Sequence, residues 1–406
     1  MKKTYKALLC GAAAVAAVGI AYAMDERFFE KAKDKLTVFK CRANSKIMEQ
    51  ALPLTDAMFP GPKVVSGADS AKKIPEVLKE LNVNKVMIVT GPTVGRTIVP
   101  PIAENLERHG IGYTIYDQVE ANPSVKTVEA IRAQYLENGC DGFLAIGGGS
   151  PMDAAKAAAA RVAKPNTPIG KMAGLMKVMI KVAPIVAVPT TSGTGSEVTM
   201  GAVISDHDER HKYAIMDPNL VPKYAVLDPK LTVSMPKFVT ATTGIDALTH
   251  AVESYVTRAY NNNASNRNAE EAVVKIFRNL KRAYEDGNDL EAREAMLIAS
   301  YKAGLAFNHT GVGYVHAIAH AMGGIYNTAH GLANAVIMPI VLEDYGTAVH
   351  PQLAHLAEIT GVKTTGSDAE KANAFIAAIR QMNREMGLPT GLSLIHISEP
   401  TRHLRI

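Results

Sequence analysis

"GFLAIGGGSPMDAAKAAAA", residues 142–160, starts as an apolar strand, passes through three glycines and continues at once as an alanine-rich helix. Glycines let a backbone approach a ligand closely, and the unpaired N–H groups at a helix start favour phosphate. The spacing is not GxGxxG, which excludes an ordinary Rossmann fingerprint. Outward from this stretch the pattern repeats. "KVMIVTG" (85–91), "GYTIYD" (112–117), "PIVAVPTT" (184–191) and "YAVLDP" (224–229) read as further buried strands. "SAKKIPEVLKELN", "IVPPIAENLERHG" and "VKTVEAIRAQYLENG" read as the helices between them. Such alternation predicts βαβ units and a mostly parallel sheet. After Pro236 the strand pattern stops, and long amphipathic segments follow: 236–257, 268–287, 290–308 and 370–387. The expected organisation is an α/β nucleotide-binding domain over 46–235 and an all-helical domain over 236–391.

The 406 residues are 47% hydrophobic and 20% charged, the balance of a folded two-domain chain rather than a disordered one. The formal charge of +5 is scattered, without an arginine-rich run, which argues against nucleic acid as a partner. Cys10, Cys41 and Cys140 are too few and too widely spaced for a disulfide framework or a CxxC zinc site, as in a reducing compartment.

The two ends need separate treatment. Residues 1–23 have a basic start, an uncharged run and Ala21-Tyr22-Ala23, the layout of a secretory signal. Basic residues also follow the run: Arg27, Lys31, Lys33, Lys35, Lys40 and Arg42. By the positive-inside tendency this favours a cytoplasmic chain, membrane-associated through residues 7–23, over export. Residues 1–45 are therefore treated as a signal-like or anchor-like extension. At the other end "LSLIHISEPTR" (392–402) resembles the translation of a transposon-type sequencing adapter. Residues 392–406 are accordingly excluded from fold reasoning.

The chemistry concentrates in three further segments. "PTTSGTGSEVT" (189–199) puts the hydroxyls of Thr190, Thr191, Ser192, Thr194 and Ser196 beyond a strand, with Gly193 and Gly195 read as allowing close approach to a ligand. Two such loops after parallel strands suit a dinucleotide at the C-terminal sheet edge. "GIDALTHAVESY" places Asp246 and His250 four apart, on one helix face. "VHAIAHAMGGIYNTAHG" (315–331) repeats that spacing in His316 and His320 and adds His330. One carboxylate with two or three imidazoles and no thiolate suits divalent iron or zinc with an open coordination position. An isolated Asp/His pair on a helix is commonly a surface hydrogen bond; here two pairs and a third histidine recur.

GGGSPMDAAK, PTTSGTGSEVT, GIDALTHAVE and VHAIAHAMGG…AHG, in this order, resemble the iron-containing (group III) alcohol dehydrogenase family, which includes lactaldehyde reductases and propanediol dehydrogenases. The likeness spans roughly residues 50–391. It implies a dehydroquinate synthase-like architecture and hydride transfer between a short-chain alcohol or diol and NAD or NADP. It implies Asp246, His250, His316 and His330 as ligands of Fe²⁺ (alternatively Zn²⁺), with His320 a non-ligand beside the metal and the candidate catalytic residue, orienting the site or relaying a proton. It implies cofactor contacts at Gly148, Gly149, Ser150, Asp153, Thr190, Thr191, Thr194, Asn122 and Lys212, and a homo-oligomer. Three departures stand out. Gly91 occupies a position where many members carry Asp; without that carboxylate a 2′-phosphate is not repelled, so NADP is as open as NAD. Ala321 and Ala329 stand where proline is common. The family's last helices have no counterpart before the adapter-like tail, which predicts an exposed part of the helical core. The alternatives are a zinc-dependent polyol dehydrogenase of glycerol type and a non-catalytic, membrane-tethered metal- or nucleotide-binding protein.

Overall fold

In a computed structural model of the chain, residues 61–206, 211–257, 261–326 and 328–391 are described. The N-terminal extension and residues 392–406, to which two of the readings above apply, lie outside them. The chain forms two compact units. One runs to Pro189 and takes in Ser196–Asp228; the other holds Thr190–Gly195, Pro229–Thr257 and the chain from Asn263 onward.

In chain order, the first unit comprises β1 (Lys63–Ser66), α1 (Ile74–Glu80), β2 (Lys85–Val89), α2 (Pro92–Thr97), α3 (Val99–Arg108), β3 (Gly112–Tyr116), α4 (Val125–Glu137), β4 (Gly142–Gly147) and α5 (Gly149–Ala163). It continues with β5 (Gly174–Leu175), β6 (Ile185–Pro189), β7 (Gly201–Asp206), β8 (His211–Met216) and β9 (Tyr224–Leu227). Six strands make one all-parallel sheet in the order β1-β9-β6-β4-β2-β3. The chain builds outward from β2 to β3, then crosses back to β4 on the other side. The switch point of the sheet therefore lies between β2 and β4, and ligands of open α/β sheets bind beyond the C-terminal strand ends at such a point. Gly91 follows β2 there, and Gly148 to Ser150 follow β4. The alanines of α5 explain how its helix reaches the sheet: Ala154, Ala155 and Ala157 to Ala160 are fully buried and let the helix axis sit close to the strands.

The five strands expected from β-branched runs all form, as does the alternation with helices. Four strands were not anticipated. β1 is short and mostly exposed, and β5, β7 and β8 make a separate three-stranded sheet in which β7 and β8 pair antiparallel.

The second unit is helical throughout: α6 (Lys237–Val256), α7 (Asn263–Glu285), α8 (Leu290–Thr310), α9 (Tyr314–Tyr326), α10 (His330–Tyr345), α11 (His350–Thr360) and α12 (Asp368–Glu385). Local signals fix several starts. Asp289 caps α8 through Ala292 N–H, and Ser367 with Glu370 forms a capping box at α12. Pro339 lies inside α10, where it cannot donate to the carbonyl of Ala335. The buried Asn383 of α12 donates to that carbonyl instead, at 2.7 Å, so the break is repaired from a neighbouring helix. Among the described residues no single helix is long and apolar enough to cross a membrane.

Candidate metal centre

Helix α6 runs through the core of its unit with Asp246, His250 and Glu253 buried at positions i, i+4 and i+7, one face of the helix. Against it packs α9, which brings His316, also buried. α10 starts at His330, and its second residue, Gly331, is obligatory: a Cβ there would lie 2.3 Å from the carbonyl oxygen of Thr242 on α6. The glycine lets the first turn of α10 touch the α6 backbone and carries His330 toward Asp246.

One donor atom from each of Asp246, His250 and His316 falls within 4.8 Å of the others. His316 Nε2 lies 3.6 Å and His330 Nε2 3.5 Å from Asp246 Oδ1. The His250 ring stacks on His316 at 4.3 Å between centroids and on Phe307 at the same separation. All four expected ligands thus converge around one carboxylate. His320 is half-buried, with its ring 4.9 Å from His330 and 6.2 Å from His316, beside the cluster rather than in its centre.

The electrostatics fit a cation. Burial alone pushes each ionised group toward neutrality. His250 follows burial, down to about 3, and so presents a neutral imidazole. His316 does not: burial opposes its charge, but Asp246 and Glu253 on either side together raise it to about 9. Burial likewise opposes the charge of Asp246, yet the surrounding imidazoles hold its carboxyl well below the ordinary range. The pocket is therefore organised for positive charge among lone pairs. His250 Nδ1 and Asn334 Oδ1 are buried without hydrogen-bond partners, and such orphans call for an explanation. A divalent ion fits this donor set of one carboxylate and imidazole nitrogens, displacing the proton held by His316.

Two residues of the site were not anticipated. Glu253 accepts from His316 Nδ1 at 2.5 Å and from Val315 N–H at 2.7 Å. Asn334, one turn after His330, donates from Nδ2 to Asp246 Oδ1 at 2.7 Å; the same nitrogen lies 3.3 Å from His316 Nε2 and 3.2 Å from His330 Nε2. Spacing held a clue to the first, since Glu253 extends the Asp246/His250 stripe by one turn. An asparagine within a helix carries no comparable signal.

In the α/β unit, α5 opens at Gly148 with no side-chain cap, leaving its first N–H groups open to an anion. Beside it, Asn122 (φ +59°) donates its backbone N–H to Ser150 Oγ at 3.3 Å and accepts from Lys212 Nζ at 3.0 Å. Burial lowers the Lys212 ammonium. Asn122, Ser150 and Lys212, distant in sequence, are one cluster, and it fits phosphate. Asp153 faces elsewhere: Oδ1 accepts from Ser196 Oγ at 2.9 Å and Oδ2 from Val203 N–H at 3.0 Å. Gly91 sits at the start of α2, where a Cβ would be 3.2 Å from the carbonyl oxygen of Val119.

Within the hydroxyl-rich loop the side chains differ in exposure. Thr191 and Thr194 are half-buried, whereas Thr190 and Ser192 are buried. Gly193 and Gly195 serve close approach to protein rather than to a ligand. A Cβ on Gly193 would lie 2.7 Å from Thr243 Cβ, and one on Gly195 (φ +60°) 2.8 Å from Gly304 Cα.

With this geometry in hand, comparison with known proteins gives two consecutive family matches. Residues 61–229 match the model described as iron-containing alcohol dehydrogenase, and 240–403 the C-terminal model of the Fe-containing alcohol dehydrogenase family. The chain belongs to the iron-containing alcohol dehydrogenase family. It is a metal-dependent alcohol dehydrogenase or aldehyde reductase, and its substrates are small alcohols or aldehydes. It is 36% identical over 348 residues to the NAD-dependent methanol dehydrogenase of Bacillus methanolicus, covering 85% of this chain and 91% of that protein. Lactaldehyde reductase of Escherichia coli K12 is 34% identical over 331 residues, covering 80% and 85% respectively. A solved structure of a 1,3-propanediol oxidoreductase superposes with a TM-score of 0.80 at 35% identity, over 83% of this chain and 88% of that one. A parallel α/β unit followed by a helical one is consistent with that family's solved structures.

Proposed function

We propose that this chain oxidises a short-chain alcohol or diol, or reduces the corresponding aldehyde, with Fe²⁺ bound by Asp246, His250, His316 and His330 and with NAD or NADP as the hydride partner. The observation that carries the reading is the convergence of three imidazoles on the buried Asp246 carboxylate. When bound, the ion supplies Lewis acidity to the substrate oxygen and the nicotinamide supplies or accepts hydride. The chain's own residues do the rest. Asp246 contributes the charge that holds the ion, and His250 contributes a neutral imidazole kept so by burial. The open start of α5 with Gly148, Gly149 and Ser150, and the Asn122–Lys212 pair, bind phosphate. Thr190, Thr191 and Thr194 offer hydroxyls to the cofactor. Asp153 acts through Ser196 and the Val203 backbone, steadying the segment that follows that loop. His320, half-exposed beside His330, takes or returns the alcohol proton. The basic residues after residue 23 support a cytoplasmic location, with residues 7–23 as the segment of membrane association, over export.

The test is His330→Ala, because this side chain is the least buried of the three imidazoles around Asp246, 36% exposed. Metal content of the purified protein should fall, and kcat/KM with a short alcohol should drop about 100-fold or more, the scale of a lost Lewis acid. Unchanged metal content and unchanged rate would overturn the assignment. Iron rather than zinc in the active wild-type chain separates this reading from a zinc polyol dehydrogenase.

Cofactor choice rests on Gly91. NADP should support turnover, and Gly91→Asp should lower kcat/KM for NADP by about 10-fold relative to NAD, the cost of roughly 1.4 kcal/mol of charge repulsion. Steady-state rates with both cofactors decide it; an unchanged ratio removes Gly91 from cofactor selection.

A further inference from the structure

We infer that Glu253 is the positioning residue of the metal centre: one buried carboxylate sets both the ring orientation of His316 and the start of the helix that carries it. The inference deepens the metal assignment above and rests on it.

Glu253 is 1% exposed and lies on the same face of α6 as Asp246 and His250. Its two oxygens are divided between two donors on α9. Oε1 accepts from Val315 N–H, a first-turn amide that no carbonyl of its own helix can satisfy, and Oε2 accepts from His316 Nδ1. A carboxylate is an acceptor, so the ring must carry its proton on Nδ1, leaving Nε2 as the nitrogen that faces Asp246. Outer carboxylates of this kind orient metal-binding imidazoles and raise their basicity. What distinguishes this one is the second bond. Because the neighbouring backbone amide is held by the same group, the His316 ring cannot keep its orientation if the first turn of α9 slips.

The sequence accommodates the carboxylate on the far side as well. A Cβ on Gly313 would lie 2.8 Å from Glu253 Oε1, so the residue entering α9 is reduced to hydrogen where the carboxylate sits. The φ of Gly313 is not positive, so alanine there would be free of backbone strain and would displace only the end of a side chain. Glu253 can therefore be disturbed in two ways, from its own position and from its neighbour's.

Glu253→Gln keeps size but offers one acceptor oxygen for two donors. Gly313→Ala keeps Glu253 and pushes it. Each variant, freed of metal, should bind Zn²⁺ 10- to 100-fold more weakly than the wild-type chain in competition with a fluorescent chelator. The melting temperature of each metal-free variant serves as the control for folding. Wild-type affinity in both folded variants would overturn the inference. Should either fail to fold, the wild-type chain decides: with ¹⁵N-histidine and Zn²⁺ bound, His316 must show a protonated Nδ1 and a coordinating Nε2, and coordination through Nδ1 overturns it. His330→Ala separates the two levels. If that variant keeps its metal, the metal assignment itself fails; if it loses metal while Glu253→Gln does not, only the role of Glu253 falls.

Discussion

Two clusters of carboxylates, one in each unit, are neutralised in opposite ways. In the α/β unit Asp153 and the buried Glu197 stand near Lys156, whose Nζ is enclosed by five oxygens: Ser196 O and Oγ, Thr199 O and Oγ1, and Gly201 O, all within 3.2 Å. Burial lowers this lysine to about 8, so the cation is costly, but every proton on it has a partner. In the helical unit Asp246 and Glu253 face imidazoles, which bring lone pairs as readily as charge. The first cluster carries its own cation and is closed. The second gathers a carboxylate and imidazole nitrogens around a point, a donor set that suits an added cation. Burial and charge alone would not tell a site from a strut; the count of donors against acceptors does.

The largest effect is expected where the cation is built in. Lys156→Met removes the charge and leaves five acceptors in the interior with nothing to bind. Losing one partner of a buried ionic network costs about 3–5 kcal/mol. Thermal unfolding of the metal-free chain should shift down by about 10 °C, on the usual scale for units of this size. A shift of a degree or less would mean that water or side-chain rotation replaces the lysine, and the contrast with the metal centre would weaken.

A smaller effect, with a definite sign, belongs to Glu197. Burial raises its carboxyl from 4.5 to about 7, against partial relief from a backbone hydrogen bond and from Lys156. Between these two values the folded chain holds a proton that the unfolded chain has released. Stability must then fall as pH rises from about 4.5 to about 7 and level off above. Glu197→Gln should remove that slope, worth about 1–2 kcal/mol across the window once coupling to Lys156 is allowed for. Denaturant melts at pH 5, 6, 7 and 8 measure it. A wild-type chain equally stable at pH 5 and 7 would show that Glu197 stays ionised throughout.

The same contrast explains what could be read in the sequence. The strands β2, β4, β6 and β9 announce themselves because a strand buried on both faces is a continuous apolar run, whereas β3, an edge strand with no buried residue, is read from its aromatic and β-branched residues. β7 mixes buried and half-buried residues, β8 buries only Ile215 among its described side chains, and β1 has only four residues, all weaker signals. The candidate ligands were legible as a group because helical spacing is local: Asp246 to His250 is one turn. The contacts that finish the site are not local. Glu253 meets His316 across 63 residues, Asn334 meets Asp246 across 88, and Lys156 meets Ser196 across 40. Glycines mislead for a related reason. Gly193 and Gly195 have the look of a ligand cradle, yet the atoms they admit belong to helices that only the tertiary fold brings there.

The smallest expected change in stability is also the sharpest test of the comparison. His330 is 36% exposed and begins its helix, and Asp246 keeps His316 and the Asn334 amide when the ring is removed. Alanine is a good helix former at the vacated position. The metal-free His330→Ala chain should therefore unfold within about 1 kcal/mol of the metal-free wild type, the range of a surface substitution. The same variant is expected to lose its metal and most of its activity. Added Zn²⁺ should raise the melting temperature of the wild type, because an ion that binds only the folded chain stabilises it by mass action, and should raise that of the variant far less. A large loss of stability in the metal-free variant would place His330 with Lys156, as part of the scaffold. An unchanged fold with the zinc response gone would place it where the geometry does, on the exposed side of the metal centre.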